Sequence, residues 1–123
     1  MTNGPEFSVR VEGTPRDLAA VVRDDVHRIA CEAVRNSFRH AQASRIEVQI
    51  HYERRRLCVR VIDNGKGIDQ AVIEGGHPGH FGLPGMQERA ELVGGKLAVR
   101  SGRDAGTAVE LTIPASLAYT KGA

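Results

Sequence analysis

The chain has no tryptophan, and aromatic residues make up only 4 % of its 123 positions. Stacking platforms for nucleic-acid bases are therefore scarce. Neither sign of charge dominates, since 17 basic against 15 acidic residues leave a formal +2, so no polyelectrolyte partner is implied and nucleic acid is not expected. No long uncharged apolar run occurs, which argues against a membrane span or direct membrane contact by this domain. Met1 to Phe7 lack the basic and apolar regions of a secretory signal, and a cytoplasmic location is the expectation. The only cysteines, Cys31 and Cys58, each lie in an apolar-periodic segment, which predicts two buried thiols and no disulfide or metal pair. His77-Pro-Gly-His80 has no Cys, Asp or Glu cluster to complete a zinc site.

What remains is a one-domain length with 41 % hydrophobic residues, enough for a single core. Ser8 to Glu12 alternate and read as a strand, followed at Thr14-Pro15 by a cap-and-proline signal that predicts a short helix. From Asp24 to about His40, Val26, Ile29, Ala30, Ala33, Val34 and Phe38 recur at helical spacing. Arg45–Tyr52 and Arg56–Asp63 alternate around the polar run Glu53-Arg-Arg55, the pattern of a hairpin. Leu83, Met86, Ala90 and Val93 share one side of a second helix from Met86, ended by Gly94-Gly95. Lys96–Arg100 and Thr107–Ile113 predict a closing hairpin. An α+β two-layer sandwich satisfies these patterns: a mixed, mostly antiparallel sheet with helices on one face. Residues 1–7 read as a leader outside the fold, 8–114 as the domain and 115–123 as a loose tail.

Four short boxes carry chemistry. Glu32 and Asn36 are four residues apart and share a helix face, which Arg39 and His40 extend by a turn. An amide oxygen suits magnesium, a carboxylate can act as a base or orient a nucleophile, and a guanidinium fork suits a phosphate. Asp63-Asn-Gly-Lys-Gly67 puts an acceptor-only carboxylate at a strand end, followed at once by Gly65 and Gly67; that suits an adenine amino group approached closely by backbone. The segment after it is glycine-rich, and a mobile loop over about Ile68 to Pro84 is expected. Gly82-Leu-Pro-Gly85-Met86 opens the second helix, whose free N–H groups suit phosphate. Gly106-Thr107 begins a strand. Taken singly, the Glu32 and Asn36 pair also reads as a solvated helix edge, Asp63-Asn-Gly and Gly106-Thr107 as turns, and Gly82 to Met86 as a plain helix start.

In this order the boxes resemble the ATP-binding catalytic domain of bacterial sensor histidine kinases, within the group that includes DNA gyrase and a heat-shock chaperone and shares the Bergerat nucleotide-binding fold. Glu32 to Ala41 resembles the N box, Asp63 to Gly67 and Gly82 to Met86 the glycine boxes, and Gly106-Thr107 the last box. Gly79 to Ala90 is the most specific stretch and resembles the branch paired with helix-turn-helix response regulators. The resemblance implies ATP and Mg²⁺ as cofactors, with magnesium on Asn36 and a catalytic or orienting role for Glu32. It implies nucleotide contacts from Asn36, Arg39, His40, Asp63, Gly65, Gly67, Ile68, His80, Gly82, Leu83, Gly85, Met86 and Thr107. The implied partners are a phosphoacceptor histidine on a helical dimerisation domain, for which this chain has no room, and a response regulator downstream. Little or no autophosphorylation is then expected of the isolated chain. Two other functions fit the same boxes: a non-catalytic, nucleotide-responsive interaction module, or a serine kinase or ATPase of the same fold.

Overall fold

The computed structural model describes residues 4–40, 42–67, 83–102 and 105–120. Five alternating segments form strands β1 (Glu6–Glu12), β2 (Arg45–Tyr52), β3 (Arg56–Asp63), β4 (Lys96–Ser101) and β5 (Thr107–Pro114). They form one sheet in the order β1-β2-β3-β5-β4, with β1 parallel to β2 and the other pairs antiparallel. Register collects the apolar half of each strand on one face. One cross-strand row is Val9, Val48, Val61, Val109 and Val99; the next is Val11, Ile50, Val59, Leu111 and Leu97.

Three described helices run over that face: α1 (Ala20–His40), α2 (Leu83–Leu92) and α3 (Ala115–Ala118). Val22, Ile29 and Ala33 of α1, Met86 and Ala90 of α2 and Ala118 of α3 join the strand residues in one core. The expected two-layer arrangement is present. Helix α2 ends in paired turns: the Gly94 N–H donates to the Glu91 carbonyl and the Gly95 N–H to that of Ala90, with Gly94 at φ +74°.

Several expectations are corrected. No helix follows Thr14-Pro15; that stretch is irregular, with Leu18 bridging Tyr119, and α1 starts at Ala20. The Ala19 N–H donates to the Ala118 carbonyl and that of Thr120 to Asp17, so a distant segment captures the backbone groups a local helix would have used. The same pairing corrects the loose tail: Ala118 and Tyr119 are buried, and the carbonyls of Glu53 and Arg56 lie 2.8 and 3.0 Å from the Tyr119 hydroxyl, which shares its one hydrogen between them. The leader is shorter than expected, because β1 begins at Glu6, whose N–H donates to the Ser44 carbonyl. Helix α2 likewise begins at Leu83, three residues ahead of the expected Met86.

On α1, the buried line through Ile29 and Ala33 continues to Ser37, which turns Phe38 to solvent at 52 % exposure. Cys31 is exposed for the same rotational reason and touches His27, while Cys58 is fully buried on β3. Burial pushes the Cys58 thiol pKa up, keeping it protonated and inert.

Candidate functional site

The apolar face changes character at one end of the sheet. In the row where Phe7 and Ile46 continue the pattern, β3 contributes Asp63, β5 Thr107 and β4 Ser101. Asp63 and Thr107 are nonetheless buried, at 6 % and 7 % exposure. A buried carboxylate requires donors, and three supply it. The Gly65 and Thr107 N–H groups donate to Asp63 Oδ1 at 2.9 and 3.2 Å, and the Ser37 hydroxyl to Oδ2 at 2.6 Å. Strand β3, its following turn, strand β5 and helix α1 thus meet on one side chain.

The turn after Asp63 is held from outside as well. Asn64 Oδ1 accepts from the N–H groups of Ser44 and Arg45, and its amide donates to the Ser44 hydroxyl. Sequence reasoning assigned the glycines here to a close approach of the ligand. The structure gives one of them, Gly67, a close approach of backbone to backbone, and Gly106, read from sequence only as a turn, has the same duty. A Cβ at Gly106, φ +78°, would lie 2.2 Å from the Asp63 carbonyl oxygen, and one at Gly67, φ +80°, would overlap that of Gly102.

One residue before Ser37, Asn36 is half-buried on the α1 face that also carries Glu32. Glu32 pairs with Arg35 at 3.5 Å and borders a groove of about 540 Å³ between α1 and the first turn of α2, which Gly85 and Met86 also line. That volume is in the range of small-molecule sites. Arg28, Arg35 and Arg89 surround the groove, and Arg89 reaches Asp25 at 3.6 Å, tying the helices together. Gly85 has open space where a side chain would be, in the first turn of α2, where backbone N–H groups have no acceptor within the helix. A second hollow, about 390 Å³, is bordered by Asp63, Ser101, Gly106 and Thr107. Helix α1 connects the two, with Glu32 at the first and Ser37 bonded to Asp63 at the second.

Of the residues singled out from sequence, Glu32, Gly85 and Met86 thus gather at the groove, with Leu83 half-buried at the start of α2. Asp63, Gly65 and Thr107 gather at the sheet end, with Gly67 in the same turn, and Arg39 is exposed in the last turn of α1. The His40 side chain, Ile68, His77, His80 and Gly82 lie outside the described residues, as does most of the expected loop. Sequence reasoning missed Ser37, Asn64 and Ser101, which brace the site. The available signal for Ser37 was a polar residue on the core line four positions after Ala33.

The donor set suits magnesium more than a softer ion. Asn36 offers a hard amide oxygen one turn from the Glu32 carboxylate, and magnesium completes its shell with water and phosphate oxygens. Among the described residues no three His, Cys, Asp or Glu side chains gather to hold a metal.

Comparison with known proteins gives a consistent answer. Residues 21–117 match the family described as histidine kinase-, DNA gyrase B-, and HSP90-like ATPase. The signal transduction histidine-protein kinase/phosphatase DegS of Brevibacillus brevis is 38 % identical over 87 residues, covering 71 % of this chain and 22 % of that protein. The sensor histidine kinase LiaS of Bacillus subtilis is 38 % identical over 93 residues, covering 76 % and 25 %. The chain therefore spans about a quarter of the length of these curated relatives. Among solved structures, the histidine kinase domain of the Erythrobacter litoralis EL346 blue-light activated histidine kinase superposes with TM-score 0.70 at 25 % identity, over 89 % of this chain and 52 % of that one. The catalytic domain of histidine kinase ThkA shares the fold with TM-score 0.73 at 20 % identity, over 89 % and 77 %.

Proposed function

The chain belongs to the family of histidine kinase-, DNA gyrase B- and HSP90-like ATPases, and from that premise we propose that it binds Mg-ATP and offers the γ-phosphate to a histidine on a separate helical dimerisation domain, with a response regulator downstream. The observation that carries this reading is the buried Asp63 carboxylate, braced by Ser37, Gly65 and Thr107 at the polar end of an apolar sheet face. An acceptor-only group against a flat apolar floor suits the edge of a base that presents an amino group, which is adenine. The groove toward α2, with the first turn of that helix and Arg28, Arg35 and Arg89 around it, suits a polyphosphate.

Phosphoryl transfer asks mainly for positioning and charge neutralisation. Asn36 would hold magnesium together with phosphate oxygens and water, and the metal supplies neutralisation of the phosphates. Glu32, in the groove between that residue and α2, would orient the incoming imidazole or accept its proton, with Arg35 fixing the carboxylate. Arg39 would pair with a phosphate. Among the described residues no helix is long and apolar enough to cross a membrane.

The test has two steps. Calorimetric titration with Mg-ATP should show saturable binding to this chain alone. Adding a histidine-bearing dimerisation domain should then produce acid-labile phosphoprotein, with little or none in its absence. Acid-stable phosphoserine would favour a serine kinase, and binding without any transfer would favour a nucleotide-responsive module.

A further inference from the structure

Ser37 is 5 % exposed on a helix face otherwise lined by apolar residues, and its hydroxyl has two acceptors within reach. Ala33 O lies at 3.3 Å and Asp63 Oδ2 at 2.6 Å. A hydroxyl has one hydrogen, and the short contact to a carboxylate takes it.

A carboxylate offers about four lone-pair positions, two on each oxygen. At Asp63, Gly65 and Thr107 fill the pair on Oδ1, and Ser37 fills one on Oδ2. Among the described residues one acceptor position remains, on the oxygen that Ser37 holds. Both donors on Oδ1 are backbone groups, fixed by the turn and by β5; Ser37 is the only side chain among the three.

We propose that Ser37 is a positioning residue that sets purine selectivity: by occupying one side of Asp63 Oδ2 it leaves a single, fixed acceptor position that matches one N–H of a 6-aminopurine and opposes a 6-oxopurine. The inference rests on the nucleotide reading above. With Ser37 in place, a 6-oxo group would meet the remaining lone pair acceptor to acceptor, leaving both buried and unpaired. Without the hydroxyl, Oδ2 has two open positions and the carboxylate plane loses its anchor on that edge. A water molecule then has room to donate to Oδ2 and to a 6-oxo oxygen together, which erodes the discrimination.

The experiment compares ATP with ITP, which differ at the purine 6-position by amino against oxo, in Mg²⁺-containing titrations of the 123-residue chain. Wild type should prefer ATP by about 100-fold or more, as expected when a site built to hydrogen-bond one group meets its mismatch. Ser37→Ala should cut that preference about tenfold, through weaker ATP and stronger ITP binding, the size of one charge-assisted hydrogen bond. Ser37→Thr, which keeps the hydroxyl, should retain it. If Ser37→Ala fails to show a cooperative melt, Ser37→Cys replaces it, with a weaker donor and an intermediate preference expected. No ATP binding by wild type would overturn the nucleotide reading itself, whereas equal affinity for both nucleotides would overturn selection at the purine 6-position, and with it the role of Ser37, while leaving nucleotide binding standing. A selective wild type with an equally selective Ser37→Ala, or an equal loss for ATP and ITP, would overturn the role of Ser37 and leave that reading standing.

Discussion

Gly106 faces the carbonyl of Asp63 so closely that any β-carbon there would stand 2.2 Å from the oxygen, and its φ of +78° lies in the left-handed region. Gly106→Ala should therefore lower stability by about 1–3 kcal/mol, the strain of a non-glycine residue in that region plus the displaced β3 terminus. Gly85 makes the control. A Cβ there meets nothing within 4 Å and it lies in α2, so Gly85→Ala should hold or raise the melting temperature, by up to about 1 kcal/mol in stability. Thermal melts of the two variants check the contrast, and equal effects would contradict it.

Asp63→Asn changes one oxygen acceptor into a donor within a three-donor cradle. ATP affinity should fall by about one to two powers of ten, the worth of a hydrogen bond to a charged group. Calorimetric titration measures it; undiminished affinity would remove Asp63 from the base-binding role.

Asn36→Ala should flatten the magnesium dependence of ATP binding, because the lost group is the proposed oxygen ligand. Titrations at a series of Mg²⁺ concentrations read this out. Glu32→Gln should leave ATP affinity within about threefold while slowing transfer to an added acceptor domain about 100-fold or more, the usual range for a general base. A variant with normal transfer would reassign Glu32 to its ion pair with Arg35.

Burial pushes the Tyr119 phenol pKa up, with the Arg16 guanidinium 3.9 Å above the ring opposing it. A folded-state pKa above the unfolded value means that this contribution to stability is complete below about pH 10 and is lost as pH rises through the folded value. Urea unfolding of wild type should weaken above about pH 10 more steeply than that of Tyr119→Phe, which has no phenol to titrate. At neutral pH the variant should be less stable by about 1 kcal/mol, from the bonds to Glu53 and Arg56.

The strands were legible because each obeys a period of two. Arg45–Tyr52 and Arg56–Asp63 were located to the residue, since a half-buried strand shows its face in every second position. Helix α1 was harder: an apolar stripe reads Phe38 as core, whereas the buried line runs through Ser37, whose partner Asp63 is 26 positions away. Polar residues satisfied by distant partners look like surface in one dimension. Tyr119 escaped notice for the same reason, since its partners lie at Glu53, Arg56 and Arg16. The candidate residues themselves were recognisable from their box order, while the braces Asn64 and Ser101 have no signature beyond being polar in a turn and at a strand end.

The clasp between Asp17 and Thr120 joins positions 103 apart in the chain. During synthesis on the ribosome the approach to α1 must wait for residues near 120 to leave the exit tunnel, although α1 itself is made in the first third. Docking of the helix that carries Glu32, Asn36 and Ser37 is then completed only after translation of the whole sheet, because its clasp at Thr120 follows the last strand in the chain.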